Sequence, residues 1–195
     1  ETIWREKRAL ELSQKVWKMS EGDTIERVKE RQGVLAKIQN VFGFGYATKE
    51  DLRELDKKLR DNYYADFKSL RHKWEEIYLT ALNAGLKKAG DDFKKVIQVM
   101  DRVAEKIHRA DYGYAGLMDR KGQIEETALA KVFNYDKALS NDIQGIVNSV
   151  DELYNNSEAD RWADAATKIR NVKSLILGFE SKWDGREKEF RPLEV

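Results

Sequence analysis

The chain has 195 residues, of which 41% are apolar, 36% are charged and 10% are aromatic. This apolar and aromatic content argues against intrinsic disorder, and the length suffices for a substantial core in roughly one or two domains. The sequence contains 0 cysteines, which excludes a disulfide scaffold, a thiolate metal site and a cysteine nucleophile. Lack of cysteine is most compatible with a reducing compartment, so we expect a cytoplasmic protein.

Positive and negative charges nearly cancel, with 36 Lys and Arg against 35 Asp and Glu and a net charge of +1. A balanced surface provides little long-range attraction for a polyanion, which argues against a nucleic-acid partner. Residues 1–8 are charged at almost every second position, unlike the start of a signal peptide. The longest charge-free stretch, residues 38–48, is far shorter than the roughly 18 apolar residues of a membrane span.

Helical periodicity runs through the chain, and the single proline, Pro192, lies near its end. We therefore predict an all-α fold, an elongated antiparallel helical bundle of about five or six helices. The clearest helix is predicted over residues 48–88, opened by a capping pair, Thr48 and Asp51. Its apolar stripe consists of Leu52, Leu55, Leu59, Tyr63, Phe67, Leu70, Trp74, Ile77 and Ala81. Consecutive steps of four residues within this stripe favour a bundle over a strict coiled coil.

Upstream of this helix, two further apolar faces are predicted. The first comprises Trp4, Leu10 or Leu12, Val16 and Trp17, and the second comprises Ile25, Val28, Gln32, Leu35 and Ile38. Gly22 either separates two helices or kinks one continuous helix, since a single glycine costs only about 1 kcal/mol in a helix interior. Both arrangements are compatible with the spacing.

Downstream, Asp91 or Asp92 is predicted to cap a helix with Phe93, Val96, Ile97, Met100, Val103, Ala104 and Ile107 on its buried stripe. Residues 112–122 form either a connection or a weakened stretch of a longer helix. The helical pattern resumes at Ile124 and breaks at residues 154–156, and Ser157 with Asp160 is predicted to cap the last helix. We expect a single domain over residues 1–185, with possible sub-bundles 1–90 and 91–185, and a charged tail over residues 186–195.

Two glycine- and tyrosine-containing segments follow predicted helix ends. Residues 41–46 carry Phe42, Phe44 and Tyr46, and a similar segment contains Tyr112 and Tyr114. In each case a Lys-Ile pair precedes a Gly-Tyr-Ala sequence. If the helices alternate in direction, both segments point to one end of the bundle. Their rings either plug the open end of the core or form an exposed docking surface.

The sequence contains no convincing catalytic or metal-binding constellation. Gly43 and Gly45 lack the preceding strand and the Lys-Ser/Thr pair of a phosphate-binding loop. Glu105 and His108 have the Glu-x-x-His spacing used in di-iron bundles, but Ser69 stands where a second such pair would need a glutamate. We therefore expect no metal and no cofactor, and we expect that the protein is not an enzyme.

These patterns favour a non-catalytic structural or adaptor protein that binds another protein, or its own copy, through helical faces or an aromatic end loop. The predicted partner-binding residues are Phe42, Phe44, Tyr46, Tyr112 and Tyr114. One alternative is a peripheral membrane protein that inserts the same aromatic tip. A second alternative is a helical nucleic-acid-binding protein, which the balanced charge disfavours, and no small-molecule substrate is indicated.

Overall fold

We describe residues 25–40, 49–110 and 126–190 of a computed structural model of the chain. These ranges contain five α-helices, one 3₁₀ turn over Lys87–Ala89 and no strand. The helices are α1 across residues 25–40, α2 (Lys49–Asn83), α3 (Gly90–Arg109), α4 (Glu126–Glu158) and α5 (Ala165–Phe190). The prediction of an all-α bundle is confirmed. At 1.5 Å per residue, α2 alone is about 52 Å long.

Helices α2 and α3 form one antiparallel hairpin, and α4 and α5 form another. In the first hairpin, Arg71 donates to Asp101 at 2.6 Å, whereas Trp74, one turn later in α2, donates to the carbonyl of Phe93 earlier in α3. In the second hairpin, Lys182 pairs with Asp142, while Lys168 pairs with the later residue Glu152. In both hairpins, later residues of one helix contact earlier residues of the other, as expected for antiparallel helices joined by short turns.

The two hairpins pack so that parallel helices become neighbours. Tyr63 of α2 bonds the backbone of Asp136, and Lys73, further along α2, pairs with Asp151, further along α4. Helices α3 and α5 are also parallel: Arg102 pairs with Glu180, and Lys106, one turn later in α3, pairs with Asp184, one turn later in α5. The spatial order around the bundle is therefore α2, α3, α5 and α4. Helices α2 and α5 stand on a diagonal and meet through the core.

Large aromatic side chains fill the core between α2 and α5. The ring of Phe179 in α5 lies 5.6 Å from that of Tyr63 and 5.1 Å from that of Phe67, both with edge-on geometry. Edge-to-face contacts of this kind suit the aromatic quadrupole and add to the energy of apolar burial. All nine residues of the predicted α2 stripe are buried, which confirms the sequence pattern for this helix.

The predicted face of α1 is confirmed at Leu35 and Ile38 and wrong at Ile25 and Gln32. Val34, Leu35 and Ile38 are buried, but Ile25 is 56% exposed and Gln32 is also exposed. The buried face passes instead through Arg31, which is 2% exposed and pairs with an aspartate of α2. The prediction fails in the first half of α1, because the buried Arg31 takes the position that the pattern assigned to Gln32.

The bundle is closed at one end, which we call the turn end, by residues 84–89 and 159–164. Helix α2 stops at Asn83 and not at residue 88 as predicted, because Gly85 adopts a left-handed φ of 85°. The amide of Leu86 donates to the carbonyl of Ala81, and the amide of Gly85 donates to that of Leu82. These two bonds form a Schellman motif, in which glycine has no side chain to strain the turn.

Helix α3 then begins at Gly90 with no side-chain cap, so the predicted capping by Asp91 or Asp92 is wrong.

The second turn has the same geometry but uses an aspartate. Asp160 has a φ of 51°, and the amide of Arg161 donates to the carbonyl of Asn156 at 2.8 Å. The predicted break at residues 154–156 is therefore wrong, since α4 continues to Glu158. Ser157 and Asp160 therefore lie at the end of α4 and do not cap α5. Asp160 can stop the helix because Asp tolerates the left-handed conformation better than most residues.

Helix α5 continues through the start of the predicted charged tail. It extends to Phe190, and Arg186 is only 1% exposed. The charge pattern of this segment suggested solvent exposure, whereas a pair of buried carboxylates draws the guanidinium into the core. The division of the chain into domains stays a prediction.

Candidate functional site

A buried ionic cluster connects α2, α4 and α5 in the half of the bundle opposite the turn end. Its centre is Arg186, whose Nε donates to Asp136 Oδ1 at 2.5 Å and whose Nη2 donates to Asp56 Oδ1. Asp56 and Asp136 are both 0% exposed. Arg60 donates from Nε to Asp56 Oδ2 at 3.1 Å and from Nη1 to the carbonyl of Ala110 at 2.6 Å. Two guanidinium groups thus face two carboxylates.

The three central residues reach the core because they occupy positions in the apolar stripes. Asp56 lies three residues before Leu59, and Asp136 lies three residues before Leu139. Arg186 lies three residues after Trp183. Spacings of three or four residues place each charged group on the buried face of its helix. Charged residues at such positions were the signal that the sequence analysis missed.

Aromatic side chains surround the cluster. The guanidinium of Arg186 lies 5.1 Å from the ring centroid of Trp183, which gives a cation–π contact. Tyr63 donates from its hydroxyl to the backbone carbonyl of Asp136 at 3.0 Å. Burial raises the pKa of Tyr63 well above its ordinary value, and the charge of Asp136 adds to this effect. Tyr63 therefore remains protonated at neutral pH and acts as a hydrogen-bond donor.

A second ionic contact attaches α1 to α2. Asp66 is 2% exposed and accepts from Arg27 Nε at 2.7 Å and from Arg31 Nη1. Arg31 also lies 5.7 Å from the ring centroid of Tyr63. The guanidinium groups of α1 therefore reach the same aromatic layer that surrounds Arg186, and the two ionic clusters share Tyr63.

The five predicted partner-binding residues lie outside the described ranges. These are Phe42, Phe44, Tyr46, Tyr112 and Tyr114. The helices that flank their segments are described, however, and we call the end where these helices meet the connection end. A hydrogen bond from Lys58 holds the pKa of Glu54, near the start of α2, below its ordinary value, and the charge of Lys37, near the end of α1, adds to this effect. Ala110, which follows α3, is bonded to Arg60 in the first third of α2.

The start of α4 belongs to the same end. Asp136, ten residues after Glu126, lies beside Tyr63, which is 14 residues after Lys49. Equal rise per residue then places Glu126 within about 6 Å of the level of Lys49 along the bundle axis. The end of α1, the start of α2 and the start of α4 therefore share one end of the bundle, whereas α3 ends level with Arg60, about 17 Å from Lys49 along the axis.

The Glu105 and His108 pair is engaged in other contacts. Glu105 forms an ion pair with Arg109 one turn later, and the ring of His108 stacks on Tyr64 with centroids 4.8 Å apart. The side chain of His72 is 73% exposed. Throughout the part of the chain that the structure describes, no three His, Asp or Glu side chains converge on a point where a metal ion could bind.

A pocket of about 160 Å³ lies between α1, α2 and α4. Its floor includes Leu70 and Val147, and its rim includes Ile25, Ser69 and Asn148. The sequence analysis did not find this pocket, because its lining comes from three helices that are distant in the sequence.

Comparisons with protein-family models, with curated proteins and with solved structures found no match for the chain. Among the described helices, none has a stretch long and apolar enough to cross a lipid bilayer.

Proposed function

We propose that the chain is a non-catalytic structural or adaptor protein, located in the cytoplasm, whose connection end docks another protein or a second copy of itself. One observation carries the proposal. The helix ends that flank residues 41–48, and the start of α4, lie at the connection end, and α3 ends about 17 Å from it, so both aromatic segments are joined to this half of the bundle. Clustered aromatic side chains are the residues that contribute most to protein interfaces.

The ionic cluster supports this assignment because it fixes the helices near the connection end to one another. Arg60 links Asp56 to the carbonyl of Ala110, the residue that directly precedes one aromatic segment. Arg186 links the same aspartate to α4. Preorganised anchors reduce the ordering cost of binding, so tethering both segments to this network favours a docking role for them.

The test is capture of a partner by the full chain from an extract of the native organism, followed by identification of the captured species. With Phe44→Ser, we expect the captured species to be lost while the melting temperature stays within about 2 °C, since an exposed ring contributes little to stability. Leu79→Ser is the matched control, because Leu79 is 58% exposed on α2 toward the turn end. It should leave capture intact.

Three outcomes would contradict the proposal. A large fall in the melting temperature with Phe44→Ser would show that the ring plugs the core. Flotation with liposomes that depends on Phe42 and Phe44 would favour the peripheral membrane alternative. A gel shift at low salt that disappears as salt is raised would favour nucleic-acid binding.

A further inference from the structure

Arg31 of α1 is a buried guanidinium whose hydrogen-bonding capacity is only partly used. It is 2% exposed and donates to Asp66 through Nη1. Its Nε is buried and has no hydrogen-bond partner among the residues that the structure describes. The Tyr63 ring, with its centroid 5.7 Å from the guanidinium carbon, contributes a cation–π contact and not a hydrogen bond. The edge of the guanidinium that carries Nε is therefore available to an acceptor.

Asn62 of α2 provides a second buried donor of the same kind. It is 6% exposed, and its Nδ2 is also without a hydrogen-bond partner in the described part of the chain. Burying a polar group without a partner costs free energy, so nearly all such groups in folded proteins are paired with protein, water or a ligand. An unpaired buried donor therefore indicates a bound acceptor beside it.

Asn62 lies beneath α1, at the level of Arg31. One turn later in α2, the aspartate that binds Arg31 lies against α1. One turn earlier, a hydrogen bond with Glu54 raises the pKa of Lys58, and the charge of Glu30 in α1 adds to this effect. Residues four apart share one face of a helix, so Asn62, midway between these two contacts, also faces α1. Both unpaired donors are therefore in the same layer of the α1–α2 interface.

The charges of this layer suit an anion. Asp66 accepts from Arg27 Nε at 2.7 Å as well as from Arg31, so two guanidinium groups compensate its charge. The two unpaired groups, Arg31 Nε and Asn62 Nδ2, are both donors, and the edge of a guanidinium matches the oxygens of a carboxylate. A buried water would also need acceptors for its own hydrogens, whereas a carboxylate ion needs none.

We propose that Arg31 and Asn62 form a binding site for a small carboxylate ion in the α1–α2 interface. Arg31 supplies the positive charge and a bond from Nε, and Asn62 supplies a bond from Nδ2. Because both residues are more than nine-tenths buried, the ligand has only a few non-hydrogen atoms, as in formate or acetate. Binding joins α1 to α2 through the ligand and therefore stabilises the docked position of α1. The site is independent of the function proposed for the connection end.

Formate is the probe, added as its sodium salt to the full chain while sodium chloride is reduced to keep the ionic strength constant. Saturation-transfer NMR observed at the formate proton should show saturable binding, with a dissociation constant of about 1–10 mM for so small a ligand. The melting temperature should rise as formate is added, because the ligand binds only the folded chain.

Arg31→Lys keeps a positive charge beside Asp66 but removes the guanidinium edge, so formate binding should weaken about tenfold or more. Asn62→Leu removes the second donor and should weaken binding about fivefold. Asn171→Leu is the matched control, because Asn171 is exposed on α5, and it should leave the dissociation constant within about twofold of the natural value.

A carboxylate built into the chain provides a test that needs no ligand. Asn62→Asp places this group beside Arg31, so the variant should melt about 2–6 °C higher than the natural chain and should not bind formate. Asn171→Asp makes the same change at the exposed position and should shift the melting temperature by less than about 1 °C.

No saturable signal up to about 100 mM formate would overturn the proposal, since water would then satisfy both donors. Binding that persists unchanged in Arg31→Lys and Asn62→Leu would also overturn it, because the ion would then lie elsewhere. A lower melting temperature for Asn62→Asp would show that this interface does not accept a carboxylate. Loss of formate binding in both site variants, its retention in Asn171→Leu and a higher melting temperature for Asn62→Asp are the supporting results.

Discussion

The two halves of the bundle are built on different interactions. Near the turn end, the core is apolar: the rings of Trp74 and Phe93 lie 5.3 Å apart, and Ile77, Val150 and Ile169 are at most 1% exposed. Toward the connection end, Arg186, Asp56 and Asp136 stand inside the core at equally low exposure. Apolar burial is non-directional and stabilises any close packing, whereas a guanidinium bridging two carboxylates accepts few geometries.

The apolar half contributes mainly to stability, and the ionic half contributes to the choice of helix arrangement. Burial of apolar side chains supplies most of the stability, at about 25 cal/mol per Å². Buried ion pairs cost desolvation energy that their attraction only partly recovers, and in some proteins they select one arrangement among several. We infer that the Arg186 bridge favours the arrangement in which α2 and α4 are parallel neighbours, since that placement brings Asp56 and Asp136 to the same guanidinium.

The largest effect is expected from Arg186→Ala, which leaves two buried carboxylates without their shared guanidinium. We expect a loss of about 3–5 kcal/mol in the free energy of unfolding, measured with urea. Lys188→Ala, at an exposed position of the same helix, should change it by less than about 0.5 kcal/mol. A small effect of Arg186→Ala would mean that the bridge is not formed in solution.

In the apolar core, Leu70→Ala and Ile169→Ala should each cost about 2–5 kcal/mol, because both remove buried methyl groups and leave cavities. Leu70 is 4% exposed and Ile169 is 1% exposed. The same urea measurements give the values. Leu177→Ala, at a 40% exposed position of α5, is the control and should cost far less. Similar losses for Leu177 and Ile169 would contradict the assigned face of α5.

The two turns at the turn end should respond differently to substitution. Gly85→Ala should cost about 1–2 kcal/mol, because a side chain is strained at a φ of 85°. Asp160→Gly should lie within about 0.5 kcal/mol of the natural chain, since relief of the left-handed strain offsets the lost bond from Trp162 Nε1. Thermal unfolding of both variants measures the difference, and equal losses would be inconsistent with it.

The smallest and most pH-dependent effect concerns the partly exposed network between α3 and α5. Hydrogen bonds, first from Arg102 and then from Lys106, hold the pKa of Glu180 below its ordinary value of 4.5. Because the folded pKa is the lower one, the charged carboxylate stabilises the fold above pH 4.5, and this contribution is lost as the pH falls through the folded pKa.

Glu180→Gln should therefore cost up to about 1 kcal/mol at pH 7, with the cost shrinking as the solution is acidified below the ordinary pKa. Urea unfolding of both chains at pH 7 and at about pH 3 measures the change. A cost that is the same at both pH values would show that the charge of Glu180 is not responsible.

The sequence predicted those features that have a local pattern. The α2 stripe follows unbroken steps of three and four residues, and all its members are buried. The stop at Gly85 was not predicted, because it depends on the left-handed backbone conformation of that residue. Asp160 was taken as part of a cap for the next helix, because its Ser-x-x-Asp spacing resembles a capping box. Tyr154 was taken as a break although α4 continues past it.

The ionic cluster was not predicted, because charged side chains are so frequent in this chain that one on an apolar stripe does not stand out. Asp136 is recognisable only through its neighbours, Val132 four residues before and Leu139 three residues after. Its pairing with Arg186, 50 residues away, depends on tertiary packing and has no local signature. The aromatic segments were recognised from their residues, and whether their rings plug the core or form an exposed docking surface stays a prediction.

The contrast between the two halves is tested most directly by a double-mutant cycle between Arg186 and Asp136, with free energies of unfolding measured for Arg186→Met, Asp136→Leu and the double variant. If the bridge is formed, the double variant no longer holds the buried charge of Asp136 without Arg186, while Asp56 keeps its bond from Arg60 in both Arg186 variants. The double variant should therefore recover about 1–3 kcal/mol relative to the sum of the single losses. Losses that add to within about 0.5 kcal/mol would contradict a buried ionic bridge in this half of the bundle.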